Sequence, residues 1–277
     1  MTTARETAVQ PWRSPMLDSL PGIAHAVTRR VPGMGKADGN VGFGAPRDSD
    51  DAWSMRQQWC HAAGVAPEWL VTLGQIHGAD VHLVTAADAG KGAAPGSSQI
   101  GLGDALITNV PGPVLMTLHA DCQPIFLVDP ARRGHASAVA VVHAGWRGAA
   151  ANAVGATLDA MRAAFGTNPC DVHAALGPAI GVCCYEVGED VATAWRRVAG
   201  SDAGAALHVR GDRYRFSLAA ANALLLSRSG VRDAFIEPST ICTRCQTDDW
   251  FSHRGQGRNT GRFGAAIAVT SAGAPAR

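Results

Sequence analysis

Two histidines and one cysteine occupy points where short apolar runs typical of β-strands end. His77 closes LVTLGQIH, Cys122 lies between PVLMTL and PIFLV, and His143 closes SAVAVVH. Their separations of 45 and 21 residues are not those of a local zinc finger, so only a fold that gathers three strand ends could unite them. Taken singly, each residue is more typical of a structural histidine or a small buried cysteine.

If the three side chains do converge, their chemistry is that of a catalytic metal site. Two imidazoles and a thiolate suit Zn²⁺ and leave its fourth tetrahedral position open to water. Zinc lowers the pKa of such a water to about 7, which supplies hydroxide at neutral pH for hydrolysis or deamination. The same ligands suit Cu²⁺, so the residues alone leave the metal open.

The residues beside the cysteine extend this candidate site. His119 and Asp121 flank Cys122 in the segment HADC. A histidine that binds a metal commonly donates its other ring N–H to a carboxylate or carbonyl group, and such neighbours can also transfer protons. We therefore predict a catalytic set of Cys122, His143, Asp121 and His119. The alternative for Asp121 is that its side chain only caps a turn.

Four arginines in or beside glycine-rich segments are candidates for binding an anionic substrate group. Arg29 and Arg47 lie in residues 28–50, where many glycines and prolines argue against regular structure. Arg147 lies in HAGWRG, directly before a predicted helix, where a guanidinium and free backbone N–H groups could receive phosphate. Arg254 lies in the basic segment WFSHRGQGRNTGR. The alternative is an ordinary ion pair or a solvated turn at the surface.

The other cysteines form no clear second motif. The chain has seven, an odd number without a regular framework, which predicts reduced thiols or metal ligands. Cys242 and Cys245 form CTRC, a spacing that suits zinc or redox chemistry when a second pair is present, and none is evident in the sequence. Cys183 and Cys184 are adjacent, so their side chains cannot easily face one site, and we predict that they are structural.

Strands precede helices in unequal blocks along the chain, which favours an α+β fold over a regular βαβ alternation. The periodicity predicts strands up to residue 143 and again in HAALG, and helices over residues 51–63, 149–165, 188–199 and 217–229. The start of the chain is polar and broken by Pro11 and Pro15, so residues 1–20 are predicted to be a flexible arm. No linker or repeat divides the remainder, and residues 21–272 are predicted to be a single domain.

Charge and hydropathy limit the possible partners. Lys and Arg number 24 and Asp and Glu 23, so no strong global field would attract nucleic acid or an acidic membrane surface. No apolar run approaches the roughly 20 residues of a spanning helix, and the first residues lack the apolar region of a secretory signal. We expect a cytoplasmic protein without nucleic-acid or membrane partners.

Six blocks of the sequence resemble the laccase-domain family, first described as polyphenol oxidases, and the similarity runs from about residue 23 to 268. The resemblance implies a layered α/β sandwich with mixed sheets and flanking helices, usually a monomer. The chain departs from its relatives in the amino-terminal block TRRVPGMGKADGNVGFG, which keeps only the arginine and the Asn-x-Gly of the family pattern, so a different substrate loop is expected there. In addition, His119 stands where many relatives carry Thr, and His253 where Tyr is commoner. The blocks are QIHGADVHLV, DALIT, HADCQPIFLVDP, VAVVHAGWRGAAANAV, LGPAIGVCCYEVGEDV and CTRCQTDDWFSHRGQGRNTGRFGAAI.

The resemblance also implies an activity, because the family is now regarded as purine nucleoside phosphorylases with adenosine deaminase activity. It implies phosphorolysis of adenosine, inosine and S-methyl-5′-thioadenosine to the free base and ribose 1-phosphate, and hydrolytic deamination of adenosine. By the same resemblance the metal ligands are His77, Cys122 and His143. Phosphorolysis needs a positively charged phosphate site near the ribose, for which Arg47 and Arg147 are the first candidates.

Three alternatives remain open at this point. One is a cysteine hydrolase that edits peptidoglycan-precursor peptides, with Cys122 as nucleophile and His143 as base. Another is a copper-dependent polyphenol oxidase. The third is a metal-buffering or redox-sensing protein that uses the seven thiols and turns over no substrate.

Overall fold

The longest apolar runs of the sequence become strands that are buried on both faces. In the strand Gln123–Asp129, Ile125 and Leu127 point to one side of their sheet, whereas Phe126 and Val128 point to the other. Both sides are apolar because the sheet lies between two other layers, so the alternation of polar and apolar residues that marks a half-exposed strand is missing.

The computed structural model describes residues 9–44, 46–131, 136–211 and 213–270. In these ranges the helices are α1 (Pro15–Asp18), α2 (Ser49–Ala63), α3 (Trp146–Ala150), α4 (Ala153–Phe165), α5 (Glu189–Ala199), α6 (Leu218–Arg228) and α7 (His253–Gln256). The strands in the same ranges are β1 (Ile23–Val27), β2 (Leu70–Val71), β3 (Gly74–Gln75), β4 (Val81–Leu83), β5 (Leu102–Gly103), β6 (Ala105–Thr108), β7 (Val114–His119), β8 (Gln123–Asp129), β9 (Ala138–Ala144), β10 (His173–Leu176), β11 (Glu186–Val187), β12 (Leu207–Arg210), β13 (Arg213–Phe216), β14 (Ile236–Glu237) and β15 (Phe263–Val269).

Two sheets and a set of helices form three layers. The central sheet has the order β14-β10-β8-β9-β6-β4 and mixes antiparallel pairs with the parallel pairs β4–β6 and β10–β14. One of its faces packs on a four-stranded sheet of order β1-β15-β7-β2, and the other packs on α4, α5 and α6. Small sheets of order β11-β13-β12 and β3-β5 lie beside these layers. The predicted α+β sandwich with mixed sheets and flanking helices is therefore confirmed.

The helices follow the predicted segments, with differences that have local causes. Helix α2 begins at Ser49, two residues before the predicted start, because the Asp48 side chain caps it, and it ends at Ala63, after which Gly64 adopts φ 72°. The helix predicted over residues 149–165 is two helices, because Asn152 adopts φ 54° between them and caps α4 through Gly155 N–H. None of the helices in the described part of the chain has the length and apolar character that crossing a bilayer requires.

The predicted strand LVTLGQIH is also divided. Its first half pairs with β7 in the four-stranded sheet, and its second half pairs with β5. The chain therefore leaves one sheet for another before it reaches His77, and the pattern of apolar residues alone does not show this change of partner.

The prediction of a flexible arm is wrong for residues 9–20. Trp12 forms a β-bridge with Val27, and Leu17 is fully buried against the sheet layer. Ser14 caps α1 and donates its hydroxyl to Glu237 at 2.9 Å. Pro15 therefore begins a capped helical turn and does not mark a loose segment. Residues 1–8 lie outside the described residues, as do the last two residues of the predicted 21–272 domain.

A buried histidine links this segment to β1 and makes its stability depend on pH. His25 Nε2 accepts the backbone N–H of Ser14 at 2.8 Å, and burial lowers the pKa of His25 to about 4 from an ordinary value of 6.5. The folded state thus binds this proton less readily than the unfolded state, so the stabilisation is complete above pH 6.5 and is lost as the pH falls towards 4.

Both wild type and His25→Gln are compared at pH 7 and at pH 4. We expect the free energy of unfolding of wild type to fall over this range by about 2–3 kcal/mol more than that of the variant. Glutamine keeps an acceptor for the Ser14 N–H and does not titrate. Urea unfolding of both proteins at the two pH values measures the difference. An equal pH dependence in the two proteins would show that His25 is not the group responsible.

Candidate metal centre and its cavity

The fold brings together the three residues that the sequence placed at strand ends. His77 follows β3, Cys122 lies in the turn between β7 and β8, and His143 is near the end of β9. Their ligand atoms all lie within 4.8 Å of one another. Strands β8 and β9 are paired, with Pro124 opposite His143, which brings Cys122 and His143 to the same end of the central sheet.

The backbone around these residues adopts conformations that are rare for side-chain-bearing residues. His77 has φ 62° and Asp121 has φ 87°, and strain of this kind persists where the surrounding structure holds it in place. Gly145 approaches the thiol so closely that a Cβ there would lie 2.7 Å from Cys122 Sγ. The site therefore requires glycine at this position, immediately after the strand that carries His143.

A buried carboxylate orients two of the three residues. Asp104 Oδ1 accepts His143 Nδ1–H at 2.8 Å and the His77 backbone N–H at 3.0 Å. The other oxygen accepts the Gly78 N–H. Burial opposes ionisation of Asp104, but the bond from His143 and those from the backbone hold its pKa below the usual range. With Nδ1 engaged in this way, His143 presents Nε2 to Cys122 and His77.

The thiol and the imidazole of this group form an ion pair when no metal is bound. Burial alone would raise the pKa of Cys122, but the imidazoles of His143 and His77 lower it to about 6. Burial also disfavours protonated His143, yet the neighbouring thiolate and Asp104 raise its pKa to about 9. A thiolate is the form that binds a metal, and a metal ion entering here would displace the proton of His143.

This charge state predicts an unusual reactivity in the metal-free protein. We expect the rate of Cys122 alkylation by iodoacetamide to rise with pH through about 6 and then level off, because the thiolate is already formed at neutral pH. Cys60 is the internal control, since burial raises the pKa of its thiol to about 12. Peptide mass spectrometry after chelation reports both sites. A Cys122 midpoint near 9 would contradict the proposed ion pair.

The donor set fits a catalytic zinc ion. Two imidazoles and a thiolate converge, their separations allow bonds to one ion, and a carboxylate supports one imidazole from behind. The ligands open onto a cavity of about 600 Å³, a size typical of small-molecule sites. Three protein ligands beside an open cavity leave a position for water or substrate, which is the arrangement of a catalytic site and not of a closed structural one.

The cavity combines apolar and cationic surface. Leu118, Ile180, Tyr185 and Leu218 contribute apolar area on its walls. Its arginines are Arg47, Arg147, Arg254 and Arg262, and the same wall includes His253 and Asp121. Three of the four arginines predicted from the sequence therefore reach the cavity.

Arg29 does not line it, contrary to prediction. It pairs with Asp249 at 2.7 Å and lies over the Trp250 ring, so its charge is already engaged elsewhere.

Two of the cavity arginines lie close together without a carboxylate partner among the described residues. Arg47 and Arg262 both donate to the carbonyl oxygen of Thr260, at 2.9 and 2.8 Å. Arg47 Nε is buried and has no hydrogen-bond partner within the described part of the chain. Burial lowers the pKa of both guanidinium groups, and Arg47 lowers that of Arg262 further. Among the described residues neither guanidinium group has a carboxylate at ion-pair distance, although the charges of Cys122 and Asp121 act on Arg262 from further away. Two guanidinium groups placed in this way are suited to an oxyanion.

His119 and Asp121, which the sequence places beside Cys122, form hydrogen bonds that position the segment carrying the thiol. His119 is buried in the wall, outside the cavity lining, where its Nδ1 lies 3.1 Å from the Cys122 carbonyl oxygen and Nε2 lies 2.8 Å from Thr117 Oγ1. Burial and the charge of His143 hold the pKa of His119 well below its usual range, so it is neutral and suited to holding the Cys122 carbonyl.

Asp121 lines the cavity and joins three segments. Its carboxylate accepts the Thr243 hydroxyl and the Arg254 N–H, both at 2.7 Å.

Three residues of the site were missed by sequence reasoning. Asp104 stands in the short loop before β6, and an isolated aspartate there looks like a turn residue. Arg262 precedes β15, and Tyr185 follows two cysteines in a loop. A possible signal for Asp104 was that metal-bound histidines commonly donate to a carboxylate, so every aspartate next to a predicted strand was a candidate.

Comparisons with known proteins agree with this architecture. The chain is 33% identical over 229 residues, 82% of each chain, to a protein named purine nucleoside phosphorylase YlmD from Geobacillus stearothermophilus. The crystal structure of YlmD from the same species matches with a TM-score of 0.86 and 31% identity over 93% of this chain and 94% of that one. The chain is also 36% identical over 167 residues to adenosine deaminase RL5 from an unknown prokaryote, covering 57% and 59% of the two chains.

The family comparison covers nearly the whole described chain. A family model described as multi-copper polyphenol oxidoreductase laccase matches residues 24–270. The match spans both sheets and contains all three metal-ligand candidates. The resemblance noted in the sequence is thus confirmed, and the chain belongs to this laccase-like family.

Proposed function

We propose that this protein is a zinc-dependent purine nucleoside enzyme. It converts adenosine, inosine and S-methyl-5′-thioadenosine with phosphate into the free base and a ribose 1-phosphate, and it deaminates adenosine to inosine. The observation that carries the proposal is that a metal-ligand group lines one cavity together with Arg47 and Arg262, which have no carboxylate at ion-pair distance among the described residues. The relatives named purine nucleoside phosphorylase and adenosine deaminase support an enzyme of this kind.

Each reaction requires different parts of the cavity. In phosphorolysis a phosphate oxygen bonds to the ribose anomeric carbon while the bond to the purine nitrogen breaks, and the base leaves with the electron pair. Arg47 and Arg262 hold the phosphate for this step. In deamination water adds to the purine C6 and ammonia leaves, so no phosphate is needed. His77, Cys122 and His143 would hold the zinc ion, which would supply this reaction with a water of lowered pKa.

The protein's own residues position the substrate and the ligands. Leu118, Ile180 and Tyr185 provide apolar surface for the purine ring. Burial raises the pKa of Tyr185, so its hydroxyl stays protonated and can donate a hydrogen bond to a base or sugar oxygen. Asp104 keeps His143 in the orientation that presents Nε2 to the centre. The enzyme acts as a monomer on small molecules, without nucleic acid or membrane.

The direct test is incubation of the purified, zinc-loaded protein with adenosine, with and without phosphate. We expect adenine and ribose 1-phosphate only when phosphate is present, and inosine in both cases. Chromatography of adenine, inosine and hypoxanthine measures the products. Absence of any turnover of purine nucleosides by protein that contains zinc would refute the proposal.

The arginine pair separates the two reactions. We expect Arg47→Met to raise the KM for phosphate about tenfold, since a hydrogen bond to a charged group is worth about 1.5–3 kcal/mol, and to leave phosphate-free deamination nearly unchanged. Arg29→Met is the matched control, because its partner is Asp249 and it does not line the cavity. Equal losses in both reactions would contradict the assignment of Arg47 to phosphate.

One alternative is favoured by a specific observation. The low pKa of Cys122 beside His143 also suits a cysteine nucleophile, as in a hydrolase that edits peptidoglycan-precursor peptides. Such an enzyme keeps its activity in chelator, whereas the proposed one loses it. Metal analysis of the active protein distinguishes zinc from copper, and a copper-loaded protein that oxidises phenols would favour a polyphenol oxidase.

A further inference from the structure

A second group of metal-type ligands lies outside the catalytic centre. The described residues contain a four-cysteine cluster whose Sγ atoms all lie within 4.8 Å of one another, and it shares no residue with the His77, Cys122 and His143 group. Its members come from two loops: Cys183, Cys184, Cys242 and Cys245. The sequence prediction that the side chains of Cys183 and Cys184 cannot easily face one site, and that CTRC lacks a second pair, is wrong.

We propose that this four-cysteine cluster binds a second zinc ion as a tetrathiolate. Tetrahedral coordination at bonds of about 2.3 Å places neighbouring sulfurs about 3.8 Å apart. Cys245 Sγ lies 3.6 Å from Cys183 Sγ and 3.4 Å from Cys184 Sγ. These separations are close to the edges of such a tetrahedron and well beyond a disulfide bond of about 2.05 Å.

Backbone contacts hold the two loops in place independently of any metal. Ala179 forms a parallel β-bridge with Cys242, and the Thr243 N–H donates to the Ala179 carbonyl at 3.0 Å. Within the first loop, the N–H groups of Cys184 and Tyr185 both donate to the Gly181 carbonyl at 2.9 Å. This turn lets two consecutive cysteines face one point, which they could not do in a strand.

One sulfur has the environment of a metal-bound thiolate. Cys242 Sγ accepts the backbone N–H of Gly181 at 3.2 Å. Gly181 is held so close that a Cβ there would lie 3.0 Å from Cys242 Cβ and 3.2 Å from Cys183 Sγ. The close approach of this backbone therefore depends on glycine, and its N–H stabilises negative charge on sulfur.

The surroundings are suited to the charge that such a site carries. Four thiolates and one Zn²⁺ have a net charge of −2. Arg215 donates to the Cys183 carbonyl and Arg244 to the Cys184 carbonyl, both at 3.3 Å, so two guanidinium groups flank the cluster, of which Arg215 also pairs with Glu186 at 3.4 Å. Cys183 and Cys245 are exposed, which gives a metal ion direct access from solvent.

A metal ion here would hold together two loops that contribute to the catalytic cavity or contact its lining. The loop containing Cys242 and Cys245 also carries Thr243, whose hydroxyl donates to Asp121 at 2.7 Å. Tyr185, next to Cys184, lines the cavity. The tetrathiolate therefore has a structural role, in which it fixes two segments that contact the neighbours of Cys122.

Metal analysis of four proteins tests the proposal. We expect about two zinc ions per chain in wild type and in the control Cys170→Ser, because Cys170 is outside both groups. Cys245→Ser and Cys122→Ser should each contain about one. Cys245 is exposed, so its substitution removes a ligand without opening the core. A single zinc ion in wild type that Cys245→Ser retains would overturn the proposal.

Cobalt substitution provides a readout that does not depend on Cys245→Ser folding. We expect cobalt-loaded Cys122→Ser to show the intense sulfur-to-cobalt charge-transfer absorption of a sulfur-rich tetrahedral site, since only the four-cysteine cluster remains. Absence of this absorption, or a disulfide among the four cysteines in freshly purified wild type, would overturn the proposal.

Discussion

Cys122→Ser is expected to bind about one metal ion fewer than wild type and to lose roughly 1000-fold or more in kcat/KM for adenosine phosphorolysis. The reason is that Cys122 supplies the only thiolate among the three ligands at the cavity. A catalytic metal contributes several kcal/mol of transition-state stabilisation, and about 4 kcal/mol corresponds to that factor. Metal analysis and initial rates on the same preparation measure both effects.

The control for this variant is Cys170→Ser, which removes a thiol outside the cavity. It should keep both its metal content and its activity. If Cys122→Ser turned over adenosine at a rate near that of wild type, Cys122 would not be a ligand of a catalytic metal. Loss of activity with full retention of catalytic-site metal would instead favour a nucleophilic cysteine.

Asp104→Asn is expected to weaken zinc binding by about 10–100-fold and to lower activity at limiting zinc by a similar factor. The substitution keeps the size of the side chain and an oxygen acceptor for the His77 N–H, but it removes the negative charge that supports His143 and replaces the acceptor of the Gly78 N–H by a donor. The same loss should lower the pKa of His143 below about 9 in the metal-free protein. Competition with a chromophoric chelator measures the affinity.

Two observations separate this effect from general destabilisation. Saturating zinc should restore much of the activity of Asp104→Asn, which would not happen if the variant were unfolded. Asp88→Asn is the matched control, because the partners of that carboxylate among the described residues are Lys91 and Thr85 at the surface. Unchanged zinc affinity in Asp104→Asn would show that the hydrogen bond to His143 does not support a metal ligand.

The layers of the fold could be predicted because their pattern is local. The runs PIFLV and AVAVV are apolar at every position, which is typical of strands covered on both faces, and Asp48 and Ser217 cap α2 and α6. The sequence did not predict where a strand changes its pairing partner or where a helix is interrupted. The break between α3 and α4 depends on the positive φ of one residue, Asn152. The transfer of residues 70–75 from one sheet to another depends on strands that are distant in the sequence.

The site was predictable to the extent that its residues stand at strand ends. His77, Cys122 and His143 met that condition, and the fold brings them together. Asp104 did not stand out, because its role is visible only once His143 lies opposite the loop before β6.

The four-cysteine cluster was missed for a different reason. In a strand, adjacent side chains point to opposite faces, and this geometry predicted that Cys183 and Cys184 cannot share a site. The two cysteines instead lie in a turn that is held by hydrogen bonds to Gly181 and by contacts with a loop some 60 residues away.

The proposed position of a catalytic metal is tested most directly by anomalous scattering at the zinc absorption edge from crystals of active protein. The predicted result is a peak at bonding distance, about 2.0–2.3 Å, from a nitrogen of His77, the sulfur of Cys122 and a nitrogen of His143. An active crystal form with no metal peak among these three side chains would contradict the account.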